Sequence, residues 1–314
     1  MKKRIIDDPE SLYNEMRKVH RNVYEPSELY EQNRRSVEDF IENLRYPGFP
    51  EDSFHINGDQ LENVHGSVKI ENDVVDFTGI NNSTNVEWKR LNAQFLNYHK
   101  SLTIYEIINS LAISNYLSIV SGIGDLKNKT VVDVGAGTGH VFCSFFRYPE
   151  TIEYYLVDPN LRLLHDFFLR MFPKLALHKV AHILSYAEQI PLKSNFADVV
   201  MSMAAIDHYN DYEKFISEAY RVLKSDGIIF IASHLDIPAK QKVPNAKVSG
   251  KIVRFLERLT RFLYVRQNKV GHDDHTFHFE NTEPIVKCLK NVGFEIVDDV
   301  TFDANFYIKA KKRR

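Results

Sequence analysis

The stretch Val131-Val132-Asp133-Val134-Gly135-Ala136-Gly137-Thr138-Gly139-His140 constrains this chain more than any other. An apolar run stops at alternating glycines and an amphipathic run follows, the pattern of a buried strand that turns sharply into a helix. Glycine is needed there for two reasons. The turn is tight, and a bulky ligand has to come close to a backbone whose first helical N–H groups lack intrahelical partners.

The same texture continues nearly to the end of the chain. Strands are expected at 130–134, 153–157, 180–184, 197–202 and 227–232, and helices at 140–147, 161–172 and 211–223. Strands apolar on both faces that alternate with helices specify an α/β, doubly wound parallel sheet covered on both sides. A helix at 283–291 then precedes strand-like runs at 294–300 and 305–310, which are expected to close the sheet as an antiparallel hairpin. Upstream, apolar residues at helical spacing (Leu12, Met16, Val19, Val23) and short alternating runs such as Val68-Lys69-Ile70 and Val74-Val75-Asp76-Phe77 suggest a cap of helices and a small β element. With 314 residues and about 150 per domain, the reading is a cap over 1–121, a main domain over 122–314, and an insertion at about 236–281 that forms a lid.

The spacing of the glycines separates two kinds of nucleotide site. A dinucleotide fingerprint reads G-x-G-x-x-G, and the position of its third glycine is held here by His140. Gly135, Gly137 and Gly139 follow the acidic Asp133, and a second acid, Asp158, ends the next strand, where a carboxylate can accept both ribose hydroxyls of a nucleoside. G-x-G-x-G after an acid resembles motif I of the class I S-adenosylmethionine-dependent methyltransferases. Further segments carry the resemblance: Tyr186-Ala187-Glu188-Gln189-Ile190-Pro191-Leu192, then Phe196-Ala197-Asp198-Val199-Val200, Ala204-Ala205-Ile206-Asp207-His208-Tyr209, and Glu218-Ala219-Tyr220-Arg221-Val222-Leu223-Lys224-Ser225-Asp226-Gly227. They are closest to the branch containing the ubiquinone-biosynthesis methyltransferases.

The resemblance implies a Rossmann-like sheet of seven strands with an antiparallel last strand, and S-adenosyl-L-methionine as cofactor. Carried over by position, it implies that Asp133, Gly135, Ala136, Gly137 and Gly139 hold the methionyl part and Asp158 the ribose. Ala187 and Glu188 would lie near the adenine, and Ser202, Met203 and Ala204 beneath the sulfonium. Tyr186 departs from the family, which usually has an aspartate there. Residues 68–79 are also weakly similar to the end of small zinc-ribbon modules, but without their cysteines.

On the acceptor side, amine methylation of nucleic-acid bases calls for an Asn or Asp, two prolines and an aromatic after the fourth strand; Ser202-Met203-Ala204-Ala205 stands there instead. Oxygen and carbon acceptors often use a histidine or carboxylate. Asp207, His208 and His234 fall at strand C-terminal ends, with His208 the first candidate base. The expected reaction is methyl transfer to an O (or C/N) atom of a small molecule. The alternatives are a catalytically silent cofactor-binding scaffold and an RNA methyltransferase. Forty basic against forty-two acidic side chains leave a formal charge of −2, which disfavours nucleic acid as a general partner. The insertion has its own field: basic residues from Lys240 to Lys269 accompany apolar ones at helical spacing from Ile252 to Leu263. Such a helix lies on an anionic membrane (through 247–269), holds an anionic or lipid-linked acceptor, or packs as an ordinary lid, and apolar spacing of this kind usually faces protein. His272, His275 and His278 form a dense polar loop, read as lid or substrate contact in preference to a metal site. The terminal Lys309, Lys311, Lys312, Arg313 and Arg314 read as a solvated end. Two cysteines, Cys143 and Cys288, and a charged first decapeptide point to a reducing, cytoplasmic setting.

Overall fold

The computed structural model describes residues 32–49, 51–80, 119, 122–137, 149–159, 179–236, 276–302 and 304–313. In chain order, β1 (His55–Asn57), β2 (Gln60–Asn63), β3 (Gly66–Glu71) and β4 (Val74–Asp76) form a meander. Then come β5 (Thr130–Val134), β6 (Glu153–Val157), β7 (Lys179–Leu184) and β8 (Ala197–Met203). Helix α1 (Tyr212–Val222) leads directly into β9 (Leu223–His234), and α2 (Glu283–Val292) precedes the hairpin of β10 (Phe294–Phe302) and β11 (Asn305–Lys312).

All these strands belong to one sheet, ordered β1-β2-β3-β4-β7-β6-β5-β8-β9-β11-β10. From β7 to β9 the neighbours are parallel, and β11 enters antiparallel between β9 and β10. The chain builds outward from β5 to β6 and β7, then returns to place β8 and β9 on the other side. This reversal between β5 and β8 opens a crevice at the strands' carboxyl ends, where doubly wound sheets bind ligands. β5 itself is buried along its whole length, as its double-sided apolar pattern requires.

Among the described residues the sheet has eleven strands where the sequence reading expects seven. The added four are the small β element of the cap, which joins the main sheet: β4 runs parallel to β7, pairing Val74 with His182 and Asp76 with Leu184. An unpaired β7 would present a row of open N–H and C=O groups, and β4 covers them. Residues 34–45 seal the same flank. Phe40 packs edge-on to Tyr155, whose hydroxyl accepts from Arg35 Nη1 at 2.8 Å and Asn43 Nδ2 at 3.1 Å. Val37, Phe40, Leu44, Leu61 and Val75 share one buried cluster with the sheet's own Val132, Tyr155 and Ile183.

Three charged side chains hold α1 in place. Glu218 and Arg221 act as a clamp on the 190–192 loop: Arg221 donates to the carbonyls of Leu192 (2.6 Å) and Ile190 (2.7 Å), and Glu218 accepts from the Ile190 N–H at 3.1 Å. At the same C-terminal end of the helix, Lys312 donates to the carbonyls of Tyr220 and Leu223, both at 2.7 Å, where the last helical carbonyls lack partners. The terminal lysines are therefore not a solvated end. The alternation of β11 turns Lys312 inward, Lys309 donates to Ile123 O at 2.9 Å, and Lys311 pairs with Asp226 at 3.0 Å. Among the described residues no helix is long and apolar enough to cross a membrane.

Arg221→Ala strands two loop carbonyls and a half-buried glutamate. It is expected to destabilise the fold by about 2–4 kcal/mol, read from the urea midpoint.

Candidate functional site

At the end of β5 the chain turns through Gly135 (φ +73°) and Gly137 (φ +58°), a region that L side chains rarely adopt. The Gly135 N–H donates to Val157 O at 2.8 Å, folding the turn over the end of β6. Gly135 is required by the protein's own packing. A Cβ there would lie 2.4 Å from Ala205 Cβ and 2.8 Å from the Tyr209 hydroxyl. Tyr209 has one phenolic proton and donates it to Val134 O at 2.7 Å, so Ser202 Oγ, also at 2.7 Å, is the donor to Tyr209. Burial pushes this phenol well above its usual range, and the hydroxyl stays a donor. Sequence reasoning gave Tyr209 no role; its position at the close of the segment after β8 was the only signal.

Acidic groups surround the turn. Asp133 is 2% exposed, and Tyr154 Oη donates to its Oδ2. Burial, with a smaller contribution from the nearby Asp158 charge, pushes the Asp133 carboxyl up to about 7, against the lowering effect of the Tyr154 bond. Asp158 follows β6, and its Oδ2 accepts from the Gly137 N–H at 2.8 Å, so the second predicted acid already touches the turn. Glu188 is buried and committed elsewhere: Oε1 accepts from the N–H groups of Asn210 (2.8 Å) and Asp211 (3.0 Å), fixing the loop that enters α1. Ala187 is buried beside it.

Across the crevice, Ser202 is fully buried and Met203 nearly so, whereas Ala204 is exposed with φ +54°. Such left-handed strain in a non-glycine residue tends to gather at functional sites. The turn of 3₁₀ helix at Ile206–His208 follows. Asp207 is 2% exposed, and its Oδ2 accepts from Ser233 Oγ at 3.3 Å and faces His234 Nδ1 at 3.7 Å. The His234 side chain is 42% exposed, so the pair has a buried acid and an open imidazole. His208 is half-buried one 3₁₀ turn on from Ala205, whose carbonyl accepts its N–H at 2.9 Å. The chain returning from the insertion is pinned at this rim. The Phe277 N–H donates to Asp207 O, and the Asp236 N–H to Phe279 O, both at 2.9 Å. His278 Nδ1 contacts Asp236 Oδ2 at 2.5 Å. Among the described residues no His, Cys, Asp and Glu group has a metal-binding arrangement. Gly139, the basic helix at 247–269, His272 and His275 lie outside the described residues.

The structure thus brings Asp133, Gly135, Ala136, Gly137 and Asp158 together at the β5–β6 end, and Ala204, Asp207 and His234 at the β8–β9 end. Residues 132–231 match a family described as a methyltransferase domain. The uncharacterized methyltransferase YcgJ of Bacillus subtilis is 26% identical over 141 residues, 45% of this chain and 52% of that protein. The 2-methyl-6-phytyl-1,4-hydroquinone methyltransferase of Spinacia oleracea is 31% identical over 101 residues, 32% of this chain and 28% of that protein. The demethylmenaquinone methyltransferase of Chlorobaculum parvum is 23% identical over 226 residues, 66% of this chain and 88% of that protein. The chain spans about half the length of the first of these relatives and less than a third of the second.

Asp133 also predicts a pH signature of stability. With its folded carboxyl at about 7 and an unfolded value of 3.8, the folded state keeps a proton that the unfolded state releases. The associated stability is whole below the unfolded value and is lost as pH rises to about 7. Asp133→Asn is therefore expected to gain on the wild type across that window, by on the order of 1–4 kcal/mol at neutral pH, measured by denaturant unfolding at a series of pH values.

Proposed function

We propose that this protein, a member of the class I S-adenosylmethionine-dependent methyltransferase superfamily through its domain at residues 132–231, transfers a methyl group from S-adenosyl-L-methionine to a small molecule. One observation carries the reading. At the point where strand order reverses, a glycine turn has a buried carboxyl beneath it and a second carboxylate, Asp158, within hydrogen-bond reach of its backbone. These donors fit the cofactor: Asp158 would take the ribose hydroxyls, Asp133 with Gly135, Ala136 and Gly137 the methionyl end, and Ala187 the neighbourhood of the adenine. Ala204 and Met203 would lie under the sulfonium, while Ser202 acts from behind through Tyr209. The cofactor supplies an electrophilic methyl group; the protein's work is to position it and to exclude water.

The acceptor end has its own chemistry. A buried carboxylate facing Nδ1 favours the proton on that nitrogen and makes Nε2 the basic nitrogen of the His234 ring, the atom that would take a proton from an acceptor hydroxyl. His234 with Asp207 behind it therefore replaces His208 as the first candidate base. Methyl transfer then balances simply: the acceptor oxygen loses its proton to Nε2 and gains the methyl group, and the sulfur keeps the electrons of the broken bond. The phytyl hydroquinone named for one relative supports a lipid-linked small-molecule acceptor that bears hydroxyl groups, and the demethylmenaquinone named for another supports an acceptor of the quinone class.

Two experiments test this reading. S-Adenosylhomocysteine is expected to raise the melting temperature of the wild type and to bind at least about tenfold more weakly to Asp158→Ala, since each lost charge-assisted bond is worth about 1.5–3 kcal/mol. Equal binding removes Asp158 from the site. With methyl-labelled cofactor and a panel of prenylated hydroquinones, His234→Gln is expected to lower kcat by about 10²–10⁴ while cofactor affinity stays within about twofold. Full activity in that variant strikes His234 from the mechanism.

A further inference from the structure

His278 repeats the arrangement of His234: an imidazole whose Nδ1 faces a carboxylate. Strand register shows that the two pairs lie side by side. Asp133 stands opposite Met201, and Met203 opposite Ala232, so these residues share one face of the sheet with His234, two positions further along β9. Val132, Val134, Ile231 and Leu235 belong to the buried cluster on the other face. Past β9 the chain stays extended, with the Leu235 N–H donating to Ala304 O at 2.6 Å and the Asp236 N–H to Phe279 O at 2.9 Å. Alternation therefore returns Asp236 to the side of His234. On the segment that crosses it, Phe277 stacks on the buried Phe279 with ring centroids 6.0 Å apart, and His278 between them turns the opposite way to meet Asp236 Oδ2 at 2.5 Å. The two side chains are 68% and 41% exposed, and an ion pair so open to water adds little to stability. The main-chain bond beside it already ties the two segments together.

We propose that His278, oriented by Asp236, binds a second hydroxyl of the acceptor while His234 takes the proton from the first, so that the site selects small molecules with two hydroxyl groups over those with one. This rests on the methyl-transfer reading above, with His234 as base. The Asp236 carboxylate at Nδ1 makes Nε2 the nitrogen that His278 presents to a ligand, as Asp207 does for His234. The second imidazole does no chemistry. Its Nε2 accepts a hydrogen bond from the hydroxyl that keeps its proton, and the methyl group goes to the oxygen at His234. An acceptor without that second hydroxyl forfeits the bond, and a site built to receive a hydroxyl discriminates against the analogue that lacks it. Because His278 lies in water and not in a sealed pocket, the discrimination is modest, about three- to tenfold.

The test is methyl transfer by the intact protein to a prenylated hydroquinone and to the prenylated phenol that lacks the second hydroxyl. The wild type is expected to favour the hydroquinone by about three- to tenfold in kcat/KM. His278→Ala should raise KM for the hydroquinone by that factor, with the loss in KM and not in kcat, and should remove the preference between the two acceptors. Asp236→Asn, which keeps the shape of the side chain and removes its charge, should move the preference in the same direction by a smaller factor. Equal use of the two acceptors by the wild type, a preference that survives in His278→Ala, an equal loss with both acceptors, or a fall confined to kcat would overturn the proposal while leaving the methyl-transfer reading standing. Full activity in His234→Gln, or a wild type that binds S-adenosylhomocysteine but methylates neither compound, sinks the acceptor reading and this inference with it.

Discussion

Tyr209 gives its phenolic proton to the carbonyl of Val134 and accepts one from Ser202, and this buried relay ties the end of β5 to β8 where the strand order reverses. Much of the site depends on it. The relay fills the space under Gly135 so completely that a single added carbon would meet the hydroxyl at 2.8 Å, and it thereby fixes the path of the turn that lifts Gly137 toward Asp158. A turn that needs left-handed backbone costs free energy to hold, and here a fully satisfied polar network behind it meets that cost.

Around this point the molecule divides its charged residues between scaffold and chemistry. Glu218 and Arg221 hold the 190–192 loop, Glu188 holds the loop entering α1, and Lys312 covers the end of that helix. All four lie at positions that read as family motifs or as surface charge, yet each is spent on backbone groups that would otherwise be buried without partners. Of the remaining acids, Asp133 and Asp158 lie at the ends of β5 and β6, and Asp207 lies in the 3₁₀ turn after β8.

How much of this the sequence disclosed follows from which forces are local. β5 and β6 have the bounds expected from their apolar runs, because burial on both faces leaves a pattern that little else produces. β9 begins at Leu223, four residues before the expected start, since Leu223-Lys224-Ser225-Asp226 has no apolar run and enters the sheet by continuing straight from α1. The pairing of β4 with β7 was not legible, because an edge strand's partner is set by tertiary fit and not by its own alternation. The glycines, Asp133 and Asp158 could be picked out from spacing. Tyr209 could not, because its role depends on a partner 75 residues away. Asp207 and His234 were visible as candidates, but only the fold shows that they face one another across β9 and the 3₁₀ turn.

The central claim is that the acid-flanked glycine turn is an adenosyl site for a cofactor carrying a methionyl group. A crystal structure of the protein grown with S-adenosylhomocysteine tests it most directly. Density is expected in the crevice between the ends of β5 and β8, with the Asp158 carboxylate moved from the Gly137 N–H onto the ribose hydroxyls and the ligand's methionyl end beside Asp133. Ligand density elsewhere on the sheet, or a ribose held without Asp158, would contradict it.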